Sequence, residues 1–415
     1  MQSANPVLPA RAFVAETLLP PRQAVVAFLS RVAIAPLGTE HVALDDALGR
    51  ILAERILADE DYPNSARSLM DGFAVASGAT PGAFEIGAEV RMGAAPGAPA
   101  ARAAATRIPT GGVLPAVADA VVPFEDVRLE KNLVIIEAQL QAGDNVVERG
   151  ADMRCGEAVL GAGRRIRASE IGVLATLGVT EVPVYRQPVV AVLSSGDELV
   201  EPGAALAPGQ IRDSNRFAIA ASLRAMGAVP RHYPTLRDEA DEFESAIARA
   251  IAECDAVAVT GGSSVGDRDR LPDAVASVAR PGIVVHGIRV KPGKPTLFGA
   301  HGNKPILGLP GNPTSALLVL EAVAAPIVAA LVGAAPVAST VGARLAAPAR
   351  SRKDWTWYIP VRLQDDGGVL LAHPLPLRSF SVSLLARADG FIIMDERDEE
   401  WPPGTPVTVH RFLGG

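Results

Sequence analysis

Short apolar runs that end in polar loops recur between residues 189 and 315. Residues 189–193 lead into Ser194-Ser195-Gly196-Asp197-Glu198, residues 256–259 into Thr260-Gly261-Gly262, and residues 306–309 into Pro310-Gly311-Asn312-Pro313. Apolar runs of this length bounded by glycine and proline are typical of buried strands. In an open parallel sheet the carboxyl ends of the strands share one edge, and ligands bind there. The pattern therefore predicts a ligand site built from several strand-end loops.

Helical patterns separate these runs. Residues 217–226 form one, which ends near Gly227, and residues 238–253 form another, with Asp238 or Asp241 as a candidate cap. Strands that alternate with helices from residue 188 to 333 predict a mostly parallel sheet with helices on both faces.

The first part of the chain has weaker helical patterns. Residues 21–35 have apolar positions at three- and four-residue steps, and residues 168–177 end at Gly178, a natural C-cap. Residues 42–53 are interpreted as a short strand followed by a helix, with Asp45 as its N-cap.

Other segments have sequence patterns typical of β-strands. Asp71 is expected at a turn before a short strand, followed by Gly72, which tolerates a positive φ. Short β-like runs continue to about residue 140 and return from about residue 340, which predicts two small β domains. The apolar stretch 316–338 contains Glu321 and Pro326, so we expect two buried helical pieces of a soluble domain rather than a membrane span.

Composition narrows the class of protein. The chain has 415 residues, enough for two to four domains, and a net charge of −7 with no basic block. That balance argues against non-specific nucleic-acid binding, which depends on Lys and Arg contacts to phosphates. The N-terminus lacks a signal-type apolar segment. Cys155 and Cys254 lack metal-type spacing, and we expect two buried thiols in a cytoplasmic protein.

The strand-end loops carry groups suited to phosphate and metal. Glycines after a strand let the backbone approach a ligand, and their N–H groups can line an anion-binding concavity. Asp267 and Asp269 follow the Gly261-Gly262 turn and offer the hard oxygen ligands that Mg²⁺ uses beside phosphates. Lys291 and Lys294 add positive charge. Together these groups indicate a phosphorylated ligand with a divalent metal; the alternative for the glycine loop is a plain turn with a solvated acidic tip.

Several stretches, taken in order, resemble the molybdopterin molybdenumtransferases, the MoeA family to which the E domain of gephyrin belongs. The matching stretches are ALGRILAE, SLMDGFAV, IPTGG, AVVPFE, RGADMRCGEAVL, SSGDELVEPG, GQIRDSNR, TGGSSVGDRD, VKPGKP, GLPGNPTSA and LLARADGFIIM. Each is weak alone, but their joint order and spacing are specific.

The resemblance implies a multidomain fold of the α/β plus β class. It consists of an elongated α+β first domain in two segments (18–54 and 142–185), an inserted small β domain (55–141), a central MogA/MoaB-like α/β molybdopterin-binding domain of mostly parallel sheet (186–335), and a C-terminal β barrel (336–415). It also implies a homodimer whose active clefts lie between subunits.

The resemblance further implies the reaction, in which molybdate is inserted into adenylylated molybdopterin with Mg²⁺ and AMP is released. The expected catalytic residues are Asp71, Thr110, Glu198, Asp269, Lys291 and Lys294. Glu198 and Asp269 would handle the metal. The expected substrate-binding residues are Asp152, Ser195, Gly196, Asp238, Gly261, Gly262, Ser264, Gly266, Pro310, Gly311, Asn312 and Pro313. Asp213 and Asn215 are interpreted as turn residues. The adenylyltransferase that makes the substrate and molybdoenzyme chaperones are suggested partners; nucleic acid and membrane are not.

Some positions depart from the family's pattern. Ser263 replaces an apolar residue, Arg270 replaces an aromatic one, Trp357 and Tyr358 stand where an arginine after the aromatic is expected, and Arg378 lies where a glycine-serine-glycine pattern is common. A specialised paralogue or a binding and scaffolding protein is therefore an alternative. A nucleotide-processing enzyme such as the adenylyltransferase is another, but it would not need the other three domains. The residues do not distinguish molybdate from tungstate or name the molybdoenzyme served.

Overall fold

A computed structural model describes residues 17–94, 104–237, 239–262, 270–335, 339–377 and 381–412. The chain divides into two compact units. The larger unit comprises Met1–Ala53, Gly163–Arg167 and Glu181–Gly415, and the smaller unit comprises Glu54–Ala162 and Ala168–Thr180.

The larger unit is built on a six-stranded sheet, here called the central sheet. Its strands lie in the order Val229–His232, Val189–Ser194, Ala256–Thr260, Lys304–Leu309, Leu297–His301 and Pro281–His286. The first four are mutually parallel, and the last two pair antiparallel. The predicted mostly parallel sheet is confirmed.

Helices cover both faces of the central sheet. Because strand residues alternate, Val190 and Val192 pack on one face with Phe28 and Leu223, while Leu193 enters the other core. Helices Pro21–Arg31, Asn215–Met226, Pro313–Leu318 and Ala325–Val332 contribute to the first core, and Ala240–Glu253 and Leu271–Val278 to the second.

The apolar stretch expected to form two buried pieces is helical from Pro313 to Val332, with a π-helical segment, Val319–Ala324, between its α-helical parts. By length and composition it would pass as a membrane-crossing helix, but 61% of its most apolar window is buried within the protein. Glu321 accepts a hydrogen bond of 2.8 Å from Ser222 Oγ. The stretch is therefore packed as a core helix.

Five strands close into a barrel near the C-terminus of the larger unit. They are Thr340–Leu345, Thr356–Asp366, Val369–Pro374, Gly390–Met394 and Pro406–Arg411. Thr356–Asp366 pairs with both Val369–Pro374 and Gly390–Met394, which completes the ring. Shorter elements of this region are Val290–Lys291, Ala349–Arg350, Leu385–Arg387 and Glu400–Trp401.

The smaller unit contains a second six-stranded sheet. Its order is Ala120–Pro123, Gly72–Val75, Ala104–Ile108, Gly82–Glu89, Leu133–Ile136 and Arg128–Glu130. Short pairs join Arg67–Ser68 to Val146–Val147 and Ile56–Leu57 to Ala158–Leu160. Helix Ala168–Thr176 is followed by Gly178 at φ +69°, as predicted. Single turns of 3₁₀ helix lie at Ser77–Ala79 and Phe124–Asp126.

The helix predicted within residues 42–53 was wrong. The larger unit has strand Thr39–Ala43, paired with Glu181–Tyr185, and then a single 3₁₀ turn, Leu44–Asp46. Asp45 lies inside that turn and caps nothing. The amides of Gly49 and Leu52 donate instead to the carbonyls of Ile166 and Arg164, so pairing with a distant segment replaces helical hydrogen bonds.

Two other expectations need correction. Helix Ala240–Glu253 begins after Glu239, so Asp241 lies in its first turn rather than at the cap; Asp238 is outside the described residues. Cys254 is buried, as expected, but Cys155 is exposed, because it lies in a surface loop where its amide donates to Asp61.

Candidate functional site

The predicted meeting of strand-end loops occurs at the carboxyl edge of the central sheet. Parallel pairing places the ends of Val189–Ser194, Ala256–Thr260 and Lys304–Leu309 side by side. The Ser195 amide donates to Thr260 O at 2.9 Å, and the Gly261 amide donates to Leu309 O at 3.2 Å. We call residues 195–198, 261–262 and 310–312 the first, second and third loops. Each extends past its strand directly beside the next.

Glycine is required in the second loop because its neighbours are close. Gly261 has φ +90°, and a Cβ there would lie 2.6 Å from Ser195 O. Gly262 has φ +60°, and its Cβ would lie 3.0 Å from the Phe243 ring. A Cβ on Gly311 would lie 3.5 Å from Gly261 Cα, so the third loop lies against the second. A side chain on Gly261 would therefore push the second loop away from the first, and one on Gly262 would press against the Phe243 ring.

The amides of the loops differ in what they can offer a ligand. Those of Ser195, Gly196 and Gly261 already donate to backbone carbonyls. The N–H of Gly261 is therefore already used within the protein. Of the two roles expected for this residue, only one remains, which is to let a ligand approach the backbone closely. Ser195 Oγ is different: it is buried, and none of the described residues gives it a hydrogen-bond partner. It also lies near both glycines, 2.8 Å and 3.3 Å from where Cβ atoms on Gly261 and Gly262 would be.

Of the two carboxylates in the first loop, Asp197 and Glu198, the one expected to hold the metal is Glu198. It is exposed, and it folds back so that a Cβ on Gly196 would lie 2.6 Å from its Oε2. Its partner in the expected metal site, Asp269, lies outside the described residues. Elsewhere in the described part of the chain, no group of three or more His, Cys, Asp or Glu residues is placed to hold a metal ion. One or two carboxylates beside phosphates suit Mg²⁺, which keeps several waters.

The two predicted lysines lie in the larger unit at the end of strand Val290–Lys291 and in the turn after it. Lys291 is exposed, directly opposite Trp357 in the parallel pairing with Thr356–Asp366, and its Nζ lies 5.9 Å from the Trp357 ring centroid. Lys294 O accepts a hydrogen bond from the Ile288 amide, and Thr296 Oγ1 donates to Gly293 O at 2.7 Å to close the turn.

Asp71 and Thr110 come together in the smaller unit. The Asp71 carboxylate accepts a 2.8 Å hydrogen bond from the Thr110 amide, across 39 residues of sequence, and both residues are exposed. Asp71 lies at a turn before strand Gly72–Val75, as predicted. Gly72 is needed for a different reason than expected: its φ is not positive, but a Cβ would collide with the backbone of Val122. Asp152 lies on a separate exposed loop, where its amide donates to Tyr62 O at 3.1 Å.

The predicted residues thus fall into separate groups. The central-sheet edge carries Ser195, Gly196, Glu198, Gly261, Gly262, Pro310, Gly311, Asn312 and Pro313. Pro313 is the first residue of helix Pro313–Leu318, as predicted. Asp238, Ser264, Gly266, Asp269 and the divergent Ser263 and Arg378 lie outside the described residues.

A buried polar network behind the first loop is not evident from the sequence. Asp213 is 1% exposed and accepts hydrogen bonds from Ser194 Oγ and the Arg216 amide, both at 3.1 Å. Ser194 Oγ also lies 3.1 Å from Thr260 Oγ1. Arg216 donates to Tyr233 O at 2.9 Å and to Glu201 at 2.6 Å. The sequence suggests only a turn role for Asp213; the arginine three positions later is the one local signal of a buried ion pair.

Comparison with known proteins identifies the family. Family models match residues 19–178 (MoeA N-terminal region, domains I and II), 191–330 (probable molybdopterin binding domain) and 342–412 (MoeA C-terminal region, domain IV). A molybdopterin molybdenumtransferase of Bacillus subtilis is 34% identical over 390 residues, 89% of each chain. One from Synechocystis is 31% identical, over 88% of this chain and 93% of that one.

A solved structure agrees. The molybdopterin biosynthesis MoeA protein from Pyrococcus horikosii superposes with a TM-score of 0.78 and 31% identity, covering 96% of this chain and 100% of its own. Sequence and fold therefore match over almost the whole length, and the chain belongs to the molybdopterin molybdenumtransferase family, enzymes of molybdenum cofactor biosynthesis.

Proposed function

We propose that this protein inserts molybdenum, supplied as molybdate, into adenylylated molybdopterin and releases AMP. The observation that carries the proposal is the convergence of three loops at one sheet edge, with a buried hydroxyl, Ser195 Oγ, that has no partner among the described residues and lies beside Gly261 and Gly262. A hydroxyl donor next to glycines suits a phosphate oxygen, since glycine lets the oxygen approach the backbone closely. The substrate's pyrophosphate supplies such oxygens.

The remaining groups have roles in the same proposal. Glu198 and Asp269 would hold Mg²⁺, which when bound would neutralise phosphate charge. Lys291 and Lys294 would attract the phosphate or the incoming oxyanion, and Asp152 and Asp238 would contact the substrate. The dithiolene sulfurs come with the substrate, so the protein needs no nucleophile of its own. Its residues bind, orient and screen charge.

Assembly and location are part of the proposal. We propose the four-domain division at 18–54 with 142–185, 55–141, 186–335 and 336–415, a cytoplasmic location, and a homodimer. In that homodimer Asp71 and Thr110 of one subunit would serve the cleft of the other. The family resemblance supports this arrangement, and a two-fold dimer would contain two equivalent clefts.

The test is an AMP assay with the purified protein, adenylylated molybdopterin, molybdate and Mg²⁺. We expect AMP release that depends on both molybdate and Mg²⁺, and that falls at least about tenfold in Glu198→Gln, since bonds to charged groups contribute about 1.5–3 kcal/mol. The matched control is Asp241→Asn, which neutralises an exposed carboxylate in the first turn of a helix and should retain wild-type rates.

Two outcomes would contradict the proposal. If the wild-type protein binds adenylylated molybdopterin but never releases AMP, the chain is a binding or scaffolding member of the family. If Glu198→Gln releases AMP at the wild-type rate, Glu198 has no role in holding the metal. Repeating the assay with tungstate would show whether the oxyanion site discriminates between the two.

A further inference from the structure

A side-chain amide outside the proposed substrate contacts holds the third loop. Asn215, the first residue of helix Asn215–Met226, donates from Nδ2 to Gly311 O at 2.8 Å. Gly311 lies against Gly261, so this bond fixes one side of the place where the second and third loops meet. The sequence pattern suggests only a turn role for Asn215.

The start of that helix is itself anchored in the protein interior. On either side of Asn215, Asp213 and Arg216 form the buried pair, with 1% and 5% exposure. Asp213 is bonded to Ser194 at the end of one strand, and Ser194 lies in hydrogen-bond distance of Thr260 at the end of the next. Asn215 therefore extends from a support that is fixed to the same two strands as the first and second loops.

Within the described part of the chain, few other hydrogen bonds hold the third loop. Pro310 in the loop and Pro313 directly after it have no N–H, so neither can donate a backbone hydrogen bond. The Asn312 carbonyl is used by the first turn of helix Pro313–Leu318, where it accepts from the Ala316 amide. The bond to Asn215 holds the intervening Gly311 peptide.

We propose that Asn215 is a positioning residue, which holds the Gly311 peptide in the conformation that receives the phosphate part of the substrate. This inference rests on the proposed function, because the family resemblance makes Gly311 an expected substrate-binding residue of that reaction. A loop that is ordered before binding loses less conformational entropy when the ligand arrives, so loss of the bond weakens binding more than the chemical step.

The experiment compares three variants of the full-length protein. Asn215→Ala removes the donor, and Asn215→Asp keeps the size but presents an oxygen to the Gly311 carbonyl. Gln187→Ala is the matched control, since Gln187 Nε2 donates to another glycine carbonyl, Gly227 O, at 3.0 Å, before strand Val189–Ser194 begins. The measurements are hydrogen exchange of a peptide spanning residues 309–314 without substrate, and KM and kcat for AMP release.

We expect faster exchange in residues 309–314 for both Asn215 variants and wild-type exchange there for Gln187→Ala. KM for adenylylated molybdopterin should rise about three- to tenfold in Asn215→Ala, the range of one hydrogen bond, with kcat within about twofold. Asn215→Asp should raise KM further, because like partial charges then face each other. The melting temperature should fall no more than in Gln187→Ala.

Unchanged exchange in both Asn215 variants would overturn the proposal, as would equal changes in Gln187→Ala, which would indicate a general loss of stability. Faster exchange with unchanged KM would show that the bond orders the loop without serving binding, and would also overturn it. Failure of the proposed function has a separate signature: the wild-type protein would release no AMP, while the exchange data would still decide whether Asn215 holds the loop.

Discussion

The central-sheet edge and the Asp71 turn bring predicted residues together by different means. At the sheet edge, three parallel strands end side by side, and backbone hydrogen bonds from Ser195 and Gly261 hold the loops in contact. In the smaller unit, one carboxylate accepts an amide hydrogen bond from a loop 39 residues away. In the first case the main chain builds the site, and in the second a side chain does.

That difference determines which substitution harms each region. A backbone-built site fails when an added atom separates the strands' loops, even if no functional group is removed. A site built by a side chain tolerates substitutions that keep the hydrogen-bond acceptor. Such substitutions can therefore test the role of the charge separately from the role of the hydrogen bond.

The largest effect is expected for Gly261→Ala. The new Cβ would lie 2.6 Å from Ser195 O at a backbone φ of +90°, so both strain and collision oppose the native loop. We expect AMP release to fall at least about a hundredfold and stability to fall by about 2–4 kcal/mol, from the left-handed backbone cost together with overpacking.

Gly209→Ala is the matched control. Gly209 has a similar φ of +87°, but nothing lies within 4 Å of the position that a Cβ would take there, so the variant carries the strain without the collision. It should lose about 1 kcal/mol and keep its activity. If the two alanine variants behave alike, the close approach of the loops is unimportant. Melting temperature and AMP release measured on both variants decide this.

The sheet edge was predictable from sequence because buried parallel strands are continuous apolar runs. The run predicted at residues 256–259 became Ala256–Thr260, and that at 189–193 became Val189–Ser194. The short β runs near the C-terminus predicted a small β domain but could not predict its closure into a five-stranded barrel. Closure depends on pairings between strands that are distant in sequence.

The buried polar network behind the first loop and the bond from Asn215 to the third loop were not predictable in the same way. Asp213 lies between the two-residue strand Ile211–Arg212 and a helix, and Asn215 is the first residue of that helix. Polar residues in such a context are most often turn formers. The burial of Asp213 and the hydrogen bonds of both residues depend on Ser194, Thr260 and Gly311, which the fold brings near. For the same reason the helix expected at residues 42–53 failed, since local propensity lost to pairing with residues 164–166.

The second prediction separates charge from geometry at Asp71. Asp71→Asn keeps an oxygen that can accept the Thr110 amide, so stability should stay within about 0.5 kcal/mol, as for most exposed substitutions. If the carboxylate acts in the reaction, AMP release should nevertheless fall at least about tenfold, the scale of a bond to a charged group. Wild-type activity in this variant would mean that Asp71 only joins the two loops.

The same variant tests the proposed dimer. Asp71→Asn is mixed with Asp269→Asn, each of which should have lost most of its activity alone. Mixed dimers then make up about half of the population, and each mixed dimer has one cleft with both aspartates intact. Activity should therefore return to roughly a quarter of wild type. No recovery in a sample shown by mass spectrometry to contain mixed dimers would mean that Asp71 serves its own chain or has no catalytic role.

The smallest effect is expected on the pH dependence of stability, which can be compared for one aspartate in each unit. In the larger unit, burial raises the pKa of Asp255, but two 3.1 Å hydrogen bonds from Arg186 and one of 2.8 Å from the Val189 amide outweigh it, so the pKa is lowered. In the smaller unit, the Cys155 amide and then Arg149 lower the pKa of the half-buried Asp61.

Both carboxylates therefore stabilise the fold above their unfolded pKa of about 3.9, and this contribution is lost as the pH falls through the lower folded values. At pH 7 the free energy of unfolding should fall by about 1 kcal/mol in Asp255→Asn and by less in Asp61→Asn. The reason is that the Arg186 guanidinium makes a bidentate contact with Asp255. At pH 3 both variants should approach the melting temperature of the wild-type protein. The measurement is thermal unfolding from pH 3 to 7; a loss of equal size at pH 3 and pH 7 would show that the carboxylate charge is not its source.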